Sequence, residues 1–190
     1  MTTAQTLGPG WLLVATPTLR DPNFRRTVVY LIAHNEHGSV GVVINRPSET
    51  AVHTVLPAWG EHASRPPVLY VGGPVQTDAA MAVGVVKPGV DRAQIPFAEP
   101  VAGPVVLVNL DSEPDAAMPQ LRGLRVFAGH AGWGPDQLAD ELAEDAWDVL
   151  PGLPDDLLAG PLVDVWFRVL RRQGWPDALK AYHPGDLMRN

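Results

Sequence analysis

Short runs of apolar residues recur along the chain and predict a protein rich in β-strands. Each run is bounded by turn-forming residues and is rich in Val, Ile and Leu. Most runs are continuously apolar rather than alternating, which is typical of strands buried on both faces. The predicted strands are residues 11–15, 27–33, 39–44, 68–71, 81–86, 105–110 and 124–128. The short polar segment 34–38, which ends in Gly38, predicts a β-hairpin between the second and third strands.

Helical spacing comes mainly in the last third of the chain. Apolar residues recur every three or four positions after Pro135, which predicts a helix reaching Val149. Its buried stripe would be Leu138, Leu142, Ala146 and Val149, and its solvated carboxylates Asp140, Glu141, Glu144 and Asp148. A second helix is predicted from Pro161 to about Gly174, with Leu162, Val165, Trp166, Val169 and Leu170 on one face. Weaker helical signals cover residues 49–59 and 115–122, and residues 87–103 read as a surface loop.

This order of elements favours the α+β class. The strands are separated unevenly by helices, and one pair forms a hairpin, so a regular βαβ repeat is not indicated. With 190 residues and no internal repeat, the chain is expected to form a single domain over residues 1–190.

Charge and composition exclude several classes of partner. The net charge of −7 opposes broad binding to nucleic-acid backbones, although a local basic patch remains compatible with it. The sequence contains no cysteine, so disulfides and thiolate sites are excluded. This composition is compatible with a protein that resides in a reducing compartment. The apolar run 11–15 is too short for a signal peptide or a membrane span. We therefore expect a cytoplasmic protein without membrane contact.

A glycine-rich segment, residues 129–134, separates the last predicted strand from the first predicted helix. It matches neither common phosphate-binding pattern, and the residues behind it are acidic, so a tight structural turn is favoured over a ligand loop. Trp133 is expected to be a buried plug rather than an exposed stacking platform. The secondary ligand candidates in this segment are His130, Gly132, Trp133 and Gly134.

The ends of two predicted strands carry the preferred ligand candidates. Asn45 and Arg46 follow an apolar strand, and Pro47 biases Arg46 towards an extended backbone. The Arg46 guanidinium could bind an anion, or could instead fix a turn through backbone carbonyls. Gly72 and Gly73 follow another strand, where paired glycines allow close approach of a backbone or a ligand.

Metal and catalytic chemistry receive little support. His34 and His37 lie three residues apart, but no third ligand has a diagnostic spacing, so neither a metal nor another cofactor is predicted. Ser39 lacks the sequence of a nucleophile elbow, and no catalytic residue is assigned.

Several stretches together resemble the YqgE/AlgH family. In chain order they are residues 10–15, 21–28, 41–47, 72–75 and 131–138, and the ending from Arg171 through His183 to Asn190 resembles the actinobacterial branch. The resemblance implies an α+β domain whose mixed or antiparallel sheet curls into a pseudo-barrel with helices packed against it. It implies a reputed role in transcriptional regulation and no established enzymatic activity. One departure is the segment 76–81, which lacks an arginine and a later histidine common in relatives.

Three functional hypotheses follow. The first is a regulatory protein that binds a small anionic ligand or a protein partner through Asn45, Arg46, Gly72 and Gly73. The alternatives are a direct transcriptional regulator and a hydrolase with an unrecognised active site. The oligomeric state and the identity of the ligand stay open.

Overall fold

Ten β-strands and five short helices make up the fold of the computed structural model, which describes residues 7–182. The strands are β1 (Trp11–Ala15), β2 (Val28–Asn35), β3 (Gly38–Val43), β4 (Pro47–Ala51), β5 (Val68–Val71), β6 (Val75–Val86), β7 (Ala98–Ala102), β8 (Val105–Val108), β9 (Leu121–Trp133) and β10 (Trp147–Pro151). The helices are α1 (Val52–Val55), α2 (Pro114–Ala117), α3 (Gln137–Ala143), α4 (Pro154–Leu157) and α5 (Val165–Arg171). Short 3-10 turns cover Pro57–Trp59, Arg92–Gln94, Met118–Gln120 and Asp177–Tyr182.

The sheet is one curled, largely antiparallel half-barrel. Its main path runs β10-β1-β2-β3-β9-β6-β8-β7, and every neighbouring pair along it is antiparallel. β4 and β5 branch from this path, and β5 lies parallel to β9. The α+β class and the curled sheet expected from the sequence are thus confirmed.

β9 is the central strand and joins the two halves of the sheet. Its first part pairs with β6, its middle with β5, and its last residues with β3. Gly129 lies at the change of partner and has a left-handed backbone, φ +74°. A side chain there would meet the Gly73 carbonyl oxygen at 2.4 Å, so glycine is required for the strand to bend at this point.

Apolar side chains fill three adjoining clusters. The largest lies between the sheet and α5 and contains Tyr30, Phe127, Trp166 and Leu170. The second lies under β6, β8 and β9 and contains Trp59 and Leu124. The third joins β1–β3 to α3 and contains Trp133, Leu138 and Trp147. The nearly continuous apolar strands read from the sequence are therefore buried on both faces.

α5 is fixed to the sheet by polar contacts as well as by packing. Asp164 accepts a hydrogen bond from the Phe167 amide at 3.0 Å and caps the helix. The Trp166 indole donates to the Ala15 carbonyl at 2.8 Å. At the other end, Arg168 and Arg172 donate to the fully buried carboxylate of Asp156.

Several predicted elements are confirmed. The strands at 11–15 and 68–71 have the predicted bounds, and the hairpin is present, with Asn35 paired to Gly38. The weak helix at 115–122 is short, as expected, and its first turn is α2. His183 and the chain ending used in the resemblance lie outside the described residues.

The prediction for the glycine-rich segment was wrong. Residues 129–133 continue β9 rather than forming a loop, because β3 supplies partners for this stretch. The long helix predicted to Val149 was also wrong: α3 ends at Ala143, and the chain returns as β10 to pair with β1. Two carboxylates predicted to be solvated are engaged instead, since Glu141 accepts from two indoles and Asp148 pairs with Lys180.

Other boundaries were also mispredicted. Residues 49–59 begin as β4 before α1, and residues 87–103 include β7, because each segment finds a neighbouring strand. The helix predicted from Pro161 begins only at Val165, and Leu162 is 99% exposed rather than buried.

Candidate functional site

The four preferred candidate residues meet at one end of the sheet. The Val43 amide donates to the Gly72 carbonyl at 2.8 Å, and the Val71 amide donates to the Arg46 carbonyl at 2.8 Å. The segment after β3 and the segment after β5 are therefore adjacent, although 26 residues separate Arg46 from Gly72. This proximity comes from β4, which pairs with β5.

Asn45 and Arg46 hold the preceding loop, residues 21–26. The Asn45 amide donates to the Arg26 carbonyl at 2.8 Å and accepts from the Val28 amide at 3.0 Å. The Arg46 guanidinium donates to the carbonyls of Pro22, Asn23 and Arg25. Partial burial lowers the pKa of Arg46, and Asp21 partly opposes this shift. Of the two roles left open by the sequence, the contacts of Arg46 match the fixing of a turn.

Gly72 and Gly73 pack directly against the bend in β9. A Cβ on Gly72 would lie 2.3 Å from the Gly129 carbonyl oxygen, and one on Gly73 would lie 2.2 Å from the His130 carbonyl carbon. Both glycines are buried, and Gly73 has φ +154°. The close approach allowed by these glycines is therefore between two backbone segments of the protein itself.

Arg26 is the exposed side chain that this arrangement positions. Its backbone is left-handed, φ +53°, a conformation that non-glycine residues seldom adopt. Its guanidinium lies 4.1 Å from the centroid of the Trp166 ring and 3.4 Å from an Asp164 carboxylate oxygen. Sequence reasoning did not single out Arg26, although it belongs to the stretch 21–28 that carries the family resemblance.

A groove of about 250 Å³ opens beside these residues. Ile44, Asn45 and Tyr70 line one side, and the segment from Ala159 to Val165 lines the other. Val163, which lines the groove, is 38% exposed, and its chain neighbour Leu162 is 99% exposed. The groove therefore combines an apolar lip, a tyrosine and an arginine–carboxylate pair.

The tyrosine side of the groove is supported by a buried cation. The Arg125 guanidinium lies 4.3 Å from the Tyr70 ring centroid and donates to the carbonyls of Leu157, Ala159 and Arg65. Burial lowers the pKa of Arg125 and raises the pKa of Tyr70. Within residues 7–182, Arg125 forms no ion pair, and its Nε atom is buried without an acceptor.

The secondary candidates do not face this groove. His130 lies behind Gly73, Trp133 is buried in the third apolar cluster, and its indole donates to Glu141 at 2.8 Å. The expectation that Trp133 is a buried plug is confirmed. A tight turn was expected at Gly132 and Gly134, but neither has a positive φ, and a Cβ would be tolerated at both.

The two hairpin histidines, His34 and His37, contact different residues. The Nδ1 atom of His34 lies 2.6 Å from the Ser39 hydroxyl, whereas exposed His37 lies 3.6 Å from Glu36. No cluster of three or more potential metal ligands occurs among residues 7–182. The described helices are also all too short or too polar to cross a membrane.

The fold and the segments around the groove define a class of α+β proteins with a half-barrel sheet. The AlgH-like family model, DUF179, matches residues 12–178. The chain belongs to this family.

Relatives in actinobacteria are similar over nearly the full chain. A UPF0301 protein of Rhodococcus opacus is 52% identical over 182 residues, covering 96% of this chain and 90% of that protein. A UPF0301 protein of Mycobacterium ulcerans is 47% identical over 187 residues, covering 98% of this chain and 93% of that protein.

Solved structures show the same architecture. A crystal structure of a Corynebacterium diphtheriae protein has a TM-score of 0.91 and 39% identity, covering 95% of this chain and 94% of that one. The solution structure of AlgH from Pseudomonas aeruginosa has a TM-score of 0.68 and 31% identity, covering 92% and 93%. The function of the family is not established.

Proposed function

We propose that this chain is a cytoplasmic regulatory protein that binds a short peptide segment of a protein partner in the groove beside Tyr70. The observation that carries the proposal is Leu162, which is 99% exposed and lies in the chain between two residues that line the groove, Pro161 and Val163. A leucine exposed beside a concave surface favours contact with apolar groups of a partner. The lack of cysteine in the sequence suits a reducing cytoplasm.

The size of the groove favours a side chain over a whole metabolite. Its volume is about 250 Å³, whereas small-molecule clefts usually measure roughly 300–1,000 Å³. Ile44 and Tyr70 supply apolar contact area on one side, and Gly160, Pro161 and Val163 line the other side. The pair formed by Arg26 and Asp164 can exchange one partner for a charged group of the peptide.

In this proposal, regulation passes through the bound protein rather than through direct contact with DNA. The net charge of −7 repels the phosphate backbone. Asn45, Arg46, Gly72 and Gly73 then act indirectly, by holding the loop and the backbone that present Arg26 and the groove.

A peptide selection tests this proposal. A random peptide library displayed on phage is selected on the wild-type protein, and enriched peptides are titrated against Leu162→Ser and Tyr70→Ala. We expect micromolar binding that falls about tenfold or more in Leu162→Ser. The matched control is Leu153→Ser, since Leu153 is 46% exposed and lies outside the segment 159–165 beside this groove.

Two results would overturn the proposal. The first is equal loss of binding in the Leu162 and Leu153 variants, which would indicate non-specific hydrophobic binding. The second is thermal stabilisation by phosphate or acetate that is lost in Arg26→Gln, with no peptide enriched, which would make the groove a small-anion site.

Ester hydrolysis is a second candidate function, favoured by the contact between His34 and Ser39. Both residues line a concavity of about 490 Å³, where Ser39 is 4% exposed, so a nucleophile and a base lie within hydrogen-bond distance there. The Gly134 amide, a nearby donor for an oxyanion, is bonded to Gln137 at 3.0 Å. Labelling of the wild type, but not Ser39→Ala, by a fluorophosphonate ester would support hydrolysis. Absence of labelling would reject it.

A further inference from the structure

A separate concave surface collects three basic side chains from two segments of the sequence. Lys87, Arg92 and Arg122 line a pocket of about 420 Å³ between the end of β6, the turn after it and the start of β9. We call this the basic pocket. None of its lining residues is acidic, although the chain as a whole carries a net charge of −7.

Strand pairing places these three residues together. Val86, the last residue of β6, pairs with Leu121, the first residue of β9, so Lys87 and Arg122 both lie close to this end of the sheet. The Lys87 amide also donates to the Gln120 carbonyl at 2.9 Å. The Asp91 carboxylate caps the turn that carries Arg92 by accepting from the Ala93 amide at 2.9 Å.

The basic side chains keep donors free for a ligand. Lys87 has no acceptor for its ammonium group within residues 7–182. Arg92 uses one terminal nitrogen, Nη1, to donate to the Gly103 carbonyl at 2.6 Å. Arg122 uses one terminal nitrogen, Nη2, in an ion pair with Asp155, which does not line the pocket. Of the two acids beside the pocket, Asp155 pairs with Arg122, and Asp91 caps the turn that carries Arg92.

The remaining walls are apolar and the lips are open. Val86, Val90, Pro104 and Pro154 contribute apolar surface. Gly89 and Gly103 at the lips have left-handed backbones, and the space beside their Cα atoms is empty to 4 Å. A pocket with apolar walls and a few converging polar groups has the usual character of a small-molecule site.

We propose that the basic pocket binds a phosphate-bearing small organic molecule. The phosphate would lie among Lys87, Arg92 and Arg122, because guanidinium and ammonium groups are the preferred donors for phosphate oxygens. The apolar walls accommodate the organic part, since the volume exceeds what a phosphate alone would fill. This site is distinct from the peptide groove and does not depend on its proposed role.

The test uses the full chain and two probes, inorganic phosphate and phenyl phosphate, titrated by calorimetry. We expect phenyl phosphate to bind about fivefold or more tightly than inorganic phosphate, because the ring can contact the apolar walls. Lys87→Gln/Arg92→Gln should weaken binding of phenyl phosphate about tenfold or more. The melting temperature without ligand should fall only slightly, because the double variant loses a single exposed hydrogen bond, from Arg92 to Gly103.

The matched control is Arg20→Gln/Arg171→Gln, which changes the net charge equally with two exposed residues outside the pocket. Equal weakening in this control, or no binding of either probe by the wild type at millimolar concentration, would overturn the proposal. Amide NMR shifts on the wild type give a second measurement that requires no variant. Shifts centred on residues 87–92 and Gly103 support the site, and shifts confined to other regions reject it.

Discussion

At the scale of single residues, the sequence identified side chains that hold the site together but did not identify the groups that they contact. Asn45 and Arg46 were selected because they follow a buried strand and precede a proline. The structure directs their polar atoms to carbonyls and an amide of the loop and strand before them. Those acceptors lie about twenty residues earlier in the chain, so local sequence could not identify them.

Glu141 provides a first prediction at this scale. It accepts hydrogen bonds at 2.8 Å from the indoles of Trp133 and Trp147, both nearly fully buried. Glu141→Ala leaves two buried donors without an acceptor and should lower the free energy of unfolding by about 1–3 kcal/mol. Glu144→Ala, on the exposed side of the same segment, should change it by less than about 0.5 kcal/mol. Urea unfolding followed by tryptophan fluorescence measures both, and equal effects would contradict the assigned contact.

Tyr30 provides a second prediction, on pH dependence. Burial raises the pKa of Tyr30 from 10.0 to about 12, with a smaller opposing effect from Arg92. The folded protein therefore holds this proton more tightly than the unfolded chain does. Its contribution to stability is complete below about pH 10 and is lost as pH rises towards 12, by at most about 1.4 kcal/mol per pH unit.

Urea unfolding at several alkaline pH values checks this expectation. Tyr30→Phe should show a shallower fall in stability between pH 10 and 12 than the wild type. Some slope should remain, because burial also raises the pKa of Tyr70. An unchanged slope in Tyr30→Phe would show that Tyr30 is not the group responsible.

At the scale of elements, apolar runs predicted strands well, and glycines were misread as loop signals. β9 continues through three glycines to Trp133, because three other strands supply hydrogen-bond partners along its length. The helical spacing beyond Ala143 failed for a similar reason. Trp147 and Val149 alternate along a strand that pairs with β1, so tertiary pairing overrode the local period.

Two glycine variants test this account of β9. Gly129→Ala should lower stability by more than about 1 kcal/mol, because its left-handed φ is costly for alanine and the new Cβ would clash with the Gly73 carbonyl. Gly132→Ala should be neutral or stabilise by up to about 1 kcal/mol, since the site is open and alanine is less costly than glycine within a strand. Thermal melting of both variants decides, and a lower melting temperature for Gly132→Ala than for Gly129→Ala would contradict the assignment.

At the scale of the whole molecule, the negative net charge does not reveal that basic side chains are grouped at one place on the surface. The groove that we propose for peptides has a paired cation and carboxylate at its rim, whereas the basic pocket gathers three cations. Three cations are too few for extended contact with a nucleic acid, which usually requires six to ten phosphate contacts.

We therefore expect no appreciable binding of random duplex DNA at physiological salt. The remaining charge of the protein repels the phosphate backbone, so any weak contact should disappear as the ionic strength rises. Gel-shift titrations with unrelated duplexes provide the measurement. Sub-micromolar binding with a steep dependence on salt would show that the basic residues form a larger surface than the structure indicates.

The sequence by itself determined the class of this protein. Continuous apolar runs required buried strands, the polar segment before Gly38 required a hairpin, and five ordered stretches carried the family resemblance. These features depend on neighbouring residues or on the order of motifs along the chain, so the sequence alone shows them. Only the tertiary structure decided which groups meet: Arg26 with Trp166, Glu141 with two indoles, and Lys87 with Arg92 and Arg122. These contacts depend on the order and register of the strands. In a β-sheet, the surroundings of a side chain are set by partner strands that are distant in the sequence rather than by neighbouring residues.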